Sequence, residues 1–277
     1  MSLLDVVLIA LAGLWAGGIN VVVGSGTLVT FPVLVALGFP PVTATMSNAM
    51  GLIAGNASGV IAYRRELKTV RRELAVLAPA SLLGGIAGSS LLLHLPESVF
   101  GYVAPFLTLV AILCVVFQPR LARIVAAKRE ETVQTGLTAE GSAVQGEASA
   151  RKPGRGVTPL TVLLVFLTGV YGGYFVAAQG VLLMGILGIF LMAGIQRENA
   201  LKNFLVMLVN LVAAVSYVLL AFDRINWWVV LVIAVSSFAG GTLGGKIARR
   251  LKPVVLRGII VALGVVALAV MIGKLVA

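Results

Sequence analysis

The chain has 277 residues, of which 60% are hydrophobic and only 11% charged, with a mean hydropathy of +1.08. A soluble domain carries about a quarter charged residues, so these values exclude an ordinary water-soluble protein and indicate an integral membrane protein. The formal charge of +11 does not mark a nucleic-acid partner, because the basic residues fall between apolar runs rather than on one soluble face.

In chain order, apolar runs cover residues 3–23, 42–62, 74–93, 99–117, 159–178, 200–221, 227–245 and 254–272. Each is near the ~20 residues of a spanning helix. Two shorter runs, 27–37 and 181–193, fall below that length. The first run lacks the basic start of a signal peptide and is expected to be retained. The lone cysteine, Cys114, sits inside an apolar run and is expected to be a buried, inert thiol.

The first run is interrupted by VVVGSGTLVTFP, residues 21–32. At membrane depth every backbone N–H and C=O must be satisfied, so a non-helical stretch is tolerated only where protein or a polar cavity surrounds it. Gly24 and Gly26 permit turn conformations and close approach of another backbone or a ligand. Ser25 and Thr27 supply hydroxyls, Asn20 lies just upstream, and Pro32 weakens the short helix that follows. A helix starting near Ser25 would direct its free N–H groups and positive dipole end into the break, which suits an anion. The competing reading is that these small residues only let helices pack closely.

Sliding the sequence by 156 positions aligns its halves without a gap. Gly13, Gly17, Gly24, Gly38 and Ala44 fall on Gly169, Gly173, Gly180, Gly194 and Ala200; Gly84, Gly85, Gly88 and Leu95 fall on Gly240, Gly241, Gly244 and Leu251. This register marks a duplication. The short runs occupy matching positions, and in the second copy Gln179 and Gly180 stand where Val23 and Gly24 stand in the first. Paired short, broken segments in two halves are a pointer to a transporter's binding site.

Between the copies, residues 119–156 begin with a basic amphipathic piece and continue into a Thr/Gln/Gly/Ser/Glu stretch too polar to form a core. The domain reading is therefore a first transmembrane repeat at 1–118, a basic and flexible linker at 119–156, and a second repeat at 157–277. Lys and Arg concentrate at residues 64–72, in the linker, at Arg197 and Lys202, and at residues 246–257. If each long-plus-short pair is a helical hairpin, whether fully spanning or re-entrant, the positive-inside rule puts all four clusters in the cytoplasm. The first repeat then starts outside and the second inside, making the repeats inverted, as in alternating-access transporters.

The stretch GSGTLVTFPVLVALGFPPVTATMSNAMG, residues 24–51, resembles the first-half signature of the TauE/SafE family of sulfite exporters, and the duplicated organisation is similar over nearly the whole chain outside the linker. The resemblance implies export of sulfite, sulfonates such as sulfoacetate or taurine-derived products, or related small sulfur-containing anions. The chain departs from the family's triple-glycine turn with Gly24-Ser25-Gly26, and has Gly188 where Pro32 would repeat.

The helices after the hairpins hold the other candidates. Ser47 aligns with Asn203, with Asn48 and Lys202 beside them. Polar groups inside a span usually face a bundle interior or a water-filled path. Lys202 is placed to neutralise a bound anion, or alternatively to snorkel to the cytoplasmic interface. Asn56 and Asn210 fit interhelical hydrogen bonding better than substrate contact. Tyr171 and Tyr174 lie near the second break as anchors, packing residues or lining. All ten acidic residues fall in loops or at helix ends, which favours an anion carrier over one driven by a buried carboxylate relay. An exported anion can follow the potential, worth about 2.3 kcal/mol per charge per 100 mV. GGTLGGKI, residues 240–247, follows phosphate-loop spacing as far as its lysine but has Ile247 where a Ser or Thr should bind magnesium; its repeat partner GGIAGSSL makes close helix packing the better account.

The sequence thus predicts an all-α, polytopic protein of the bacterial inner membrane, with two inverted repeats of a broken-helix hairpin plus three transmembrane helices. The linker is expected in the cytoplasm. Substrate is expected between Asn20, Gly24, Ser25, Gly26 and Thr27 of one hairpin and Gln179 and Gly180 of the other, assisted by Ser47, Asn48, Lys202 and Asn203. The partners are the lipid bilayer and a small anion, with no nucleic acid. No catalytic set, metal site or cofactor is expected, so the protein is not read as an enzyme. A passive anion channel using the same glycine breaks as a filter is the alternative.

Overall fold

The computed structural model describes residues 1–140, 156–247 and 253–276. Residues 141–155 of the predicted linker, and Arg249, Arg250 and Lys252 of the last basic cluster, lie outside the described residues. Among the described residues there are helices and no strands. They are α1 (Leu3–Val22), α2 (Thr27–Ala36), α3 (Pro41–Ala62), α4 (Arg64–Thr69), α5 (Arg71–His94), α6 (Glu97–Glu140), α7 (Pro159–Tyr174), α8 (Gln179–Phe190), α9 (Ile195–Leu220), α10 (Trp227–Ile247) and α11 (Pro253–Val276). The helices starting at Arg71 and Glu97 have counterparts starting 156 residues later, at Trp227 and Pro253.

Local chemistry sets the starts. Ser2 and Asp5 form a capping box on α1. Thr158 caps α7 ahead of Pro159, its Oγ1 accepting the Thr161 N–H at 3.2 Å. The Asn226 Oδ1 accepts the Val229 N–H at 3.1 Å at the start of α10. Gly38 follows α2 with φ +90°, and Gly194 precedes α9 with φ +103° and ψ 143°; both take a positive φ that glycine adopts without a Cβ penalty.

Helices α1, α5, α9 and the Glu97–Ala127 part of α6 are long and apolar enough to cross a membrane. The protein is polytopic, and its polarity is arranged for lipid. Leu3, Leu11, Phe106, Leu163, Leu219 and Trp228 are exposed, while Asn20, Asn48, Gln179, Lys202 and Asn210 are buried. Helix α6 runs past the predicted span into the expected linker as far as Glu140, through an Ala/Arg/Lys/Glu-rich stretch of good helix formers.

Helix α1 packs on α10, and α7 packs on α5, so the first helix of each sequence copy lies against the other copy. Glycines make both pairings possible. A Cβ on Gly17 would collide with Ser237 of α10, and one on Gly240 with the Leu14 carbonyl. In the same way Gly84 and Gly88 back onto the Phe166 and Val170 carbonyls of α7. The phosphate-loop-like GGTLGGKI and its partner are therefore packing elements where described, allowing helix backbones to touch.

Candidate functional site

Both predicted breaks are present. After α1 the chain leaves helical geometry at residues 23–26, and α2 folds back along α1, with Val29 and Val33 sharing a groove with Leu8, Leu11, Ala12 and Trp15. Gly24 has φ +86°, a conformation in which glycine avoids the Cβ penalty of other residues. Gly26 backs onto the Ala16 carbonyl, where a Cβ would clash. Its N–H donates to Asn20 Oδ1 at 2.8 Å, and Asn20 Nδ2 donates to Asn56 Oδ1 at 3.1 Å. Helix α2 accordingly begins at Thr27 rather than Ser25, with Gly26 as its cap.

The second break differs from the expectation. It occupies residues 175–178, and Gln179 and Gly180 are the first residues of α8 rather than the break itself. The turn is made by Val176 and Ala178, with φ of +68° and +58°. A left-handed β-branched residue is a genuine outlier, and such strain persists where the surroundings enforce it. Phe175 does so here: it is 1% exposed and its ring lies 5.4 Å from that of Phe31 and 6.2 Å from that of Phe100.

The two breaks touch. A Cβ built on Gly180 would lie 2.5 Å from Gly24 Cα, and one on Gly24 would lie 2.6 Å from Gly180 Cα and 3.2 Å from Lys202 Cδ. Lys202, 1% exposed, does not snorkel. Its Nζ donates to the carbonyls of Asn20 at 2.9 Å and Val21 at 3.2 Å, the last turn of α1. Those carbonyls have no acceptor role left inside the helix, and the negative end of the helix dipole favours a cation there. An ammonium has three donors, so one remains for another acceptor. Asn203 Nδ2 reaches the Val21 carbonyl at 3.5 Å.

The structure thus brings together Asn20, Gly24, Ser25, Gly26, Thr27, Gln179, Gly180, Lys202 and Asn203. Asn48 joins them, donating from Nδ2 to Thr27 Oγ1 at 3.3 Å and accepting from the Thr30 hydroxyl. Ser47 does not: its Oγ accepts the Asn226 N–H at 3.0 Å, tying α3 to the start of α10.

Several buried polar atoms at this junction have no partner among the described residues. They are Ser25 Oγ and both amide atoms of Gln179, and the Tyr171 and Tyr174 hydroxyls, on rings packed against Phe175 and Phe100, are likewise unpartnered. An orphaned buried polar group costs about 1–3 kcal/mol, so a cluster of them calls for an explanation. Gln179 lies against Gly172, where a side chain would clash with it. Asn210, which the sequence reading assigned to interhelical hydrogen bonding, is wholly buried with neither amide atom partnered. It shares an α9 face with Lys202 and with Tyr217, whose hydroxyl donates to the Gly173 carbonyl at 3.1 Å. Glu198, expected only as a helix-end acid, is 1% exposed and its Oε1 accepts the Gly194 N–H at 3.2 Å. Its burial has no sequence signal beyond the proximity of Lys202, one turn along.

Among the described residues no group of three or more His, Cys, Asp or Glu side chains could hold a metal ion. Comparison with known proteins adds an independent line. A family model described as Sulfite exporter TauE/SafE matches residues 9–271. A Sinorhizobium protein named "Probable membrane transporter protein ORF9" is 24% identical over 254 residues, covering 90% of this chain and 85% of the relative. A Haemophilus influenzae "Probable membrane transporter protein" is 28% identical over 109 residues, 39% of this chain and 43% of its own. No solved structure gives a significant match.

Proposed function

Since the chain belongs to the TauE/SafE sulfite exporter family, we propose that it carries sulfite or a related small sulfur-containing anion out across the bacterial inner membrane by alternating access. The observation that carries this reading is the junction of the two breaks. Gly24 meets Gly180, the Lys202 ammonium is buried beside them, and Ser25 and Gln179 present unpaired polar groups. A buried cation with a spare donor, near neutral polar groups, suits a small oxyanion in charge and hydrogen bonding.

The two repeats are inverted in this reading, with the basic clusters and the linker in the cytoplasm. Rocking one copy against the other would separate the breaks and expose the site to alternate sides. The exchange of first helices between copies, α1 onto α10 and α7 onto α5, supports equivalent roles for the two hairpins. The Gly24–Gly180 contact supports a carrier over a passive channel, because backbones in contact leave no open filter between the breaks.

The test is flux of labelled sulfite in proteoliposomes with the potential set by a potassium gradient. Saturable, countertransport-competent flux in the wild type, lost in Lys202→Met, is the expected result. Flux that neither saturates nor exchanges returns the reading to a channel. Absence of sulfite flux overturns the substrate.

A further inference from the structure

The short helix α4 crosses the bundle in an unusual way. Helices α3 and α5 both pack on α9, and α4 joins them and packs on α9 itself, so it forms a strap over the helix that carries Lys202. Its sequence is two-faced. Leu67 and Val70 pack into an apolar cluster with Leu201 and Leu205 of α9. At about 100° per residue, Arg64, Arg65 and Lys68 fall on the opposite arc, and Arg71 and Arg72 follow at the start of α5. These five side chains are exposed, while the carboxylates of the same segment, Glu66 and Glu73, are half-buried. None of the five forms an ion pair among the described residues, so the outward face is cationic and unpaired.

The flanks of the strap fix its level in the bilayer. Ile61, about one turn before Arg64, is 55% exposed, and Val76, about one turn after Arg72, is 46% exposed. Large apolar side chains left open on a membrane protein face acyl chains, and long basic side chains beside them reach into the headgroup layer. The positive-inside rule accounts for the sign of this charge; its place at the lipid boundary, with no carboxylate paired to it, gives it a ligand. A free anion is best held by donors converging in a pocket, whereas exposed cations spread along a strap suit a charged surface, at about fivefold in affinity for each cation.

We infer that α4 and the first turn of α5 form a binding surface for the headgroups of anionic phospholipid such as phosphatidylglycerol, with Arg64, Arg65, Lys68, Arg71 and Arg72 as its contacts. The surface is independent of what the protein carries.

Purified full-length protein in neutral detergent is titrated with phosphatidylglycerol or phosphatidylcholine at one ionic strength, reading the shift in melting temperature, and hydrogen exchange is compared between nanodiscs of the two lipids. The wild type is expected to bind phosphatidylglycerol at least about tenfold tighter than phosphatidylcholine, to lose that preference at about 1 M salt, and to gain protection at residues 63–73 in phosphatidylglycerol. Neutralising the strap with Arg64→Gln and Lys68→Gln should cut the preference at least about fivefold. Neutralising two exposed cations of α6 instead, with Arg120→Gln and Arg123→Gln, should change it less than about twofold. Equal binding of the two lipids by the wild type, protection gained elsewhere but not at the strap, or an equal loss in both variants would each overturn the inference. Displacement of phosphatidylglycerol by inorganic phosphate at the same concentration would overturn it too, by making the strap a free-anion site. The wild-type titration and exchange decide the matter even where the strap variant does not fold.

Discussion

Replacing Gly24 by alanine inserts a methyl group into the contact between the two breaks. The new Cβ would sit 2.6 Å from Gly180 Cα, 2.8 Å from the Gly180 carbonyl carbon and 3.2 Å from Lys202 Cδ. Two of these are backbone atoms, so relief requires the hairpins to move apart. Overpacking of this kind costs about 1–3 kcal/mol. The φ of +86° adds about 1–2 kcal/mol for any residue with a Cβ. Gly180→Ala meets the mirror-image clash, 2.5 Å from Gly24 Cα, without a positive φ. Gly24→Ala should therefore lose roughly 2–5 kcal/mol and Gly180→Ala roughly 1–3 kcal/mol. Because both methyls fill one contact, the double variant should cost less than the sum of the singles. The assay is thermal unfolding of purified protein alongside sulfite flux. Two single variants with wild-type melting temperatures and rates, or a strictly additive double, would refute the idea that this contact is close and shared.

Other substitutions probe neighbouring groups. Asn20→Ala removes the acceptor for the Gly26 N–H and the donor to Asn56; a loss of about 1–3 kcal/mol is expected, and unchanged stability would show that the break is held some other way. Lys202→Met should reduce sulfite flux to background, and Lys202→Arg should not restore it, because the packed Gly24 and Gly180 backbones leave no room for a guanidinium fork; full activity in the arginine variant would argue against a tight site. Asn210→Leu removes a wholly buried, unpartnered amide, so stability should hold or rise while flux falls; loss of stability would reveal a structural hydrogen bond. Ser47→Ala gives up the bond from the Asn226 N–H, costing about 1 kcal/mol, and should leave sulfite affinity at its wild-type value.

Much of the architecture was legible because lipid and duplication leave strong marks. Apolar runs gave the helices, and the 156-residue register anticipated the starts of α10 and α11 and the meeting of Gly24 with Gly180. The second break was misplaced for a physical reason. Sequence reasoning looks for glycine where φ is positive, but here the turn is made by Val176 and Ala178, under constraint from packing around Phe175. Ser47 was chosen through its alignment with Asn203, yet on a helix its neighbour Asn48 points about 100° away, and it is Asn48 that reaches α2. The Lys202 alternatives could not be separated by position along α9, since what buries it is the end of α1, 182 residues away in the chain at Asn20. The burial of Glu198 was hidden in the same way.

The exchange of first helices has a consequence for how the protein is made. Helix α1 ends at Val22 and its partner α10 begins at Trp227, so at roughly 5–20 residues per second a ribosome needs about 10–40 s to bring the partner out. Throughout that interval the glycine face of α1, with Gly13 and Gly17 shaped for α10, has only lipid to lie against. Helix α5 waits more briefly for α7. Final assembly is therefore gated by the end of translation, and two polypeptides cut between the copies would need each other to complete either bundle.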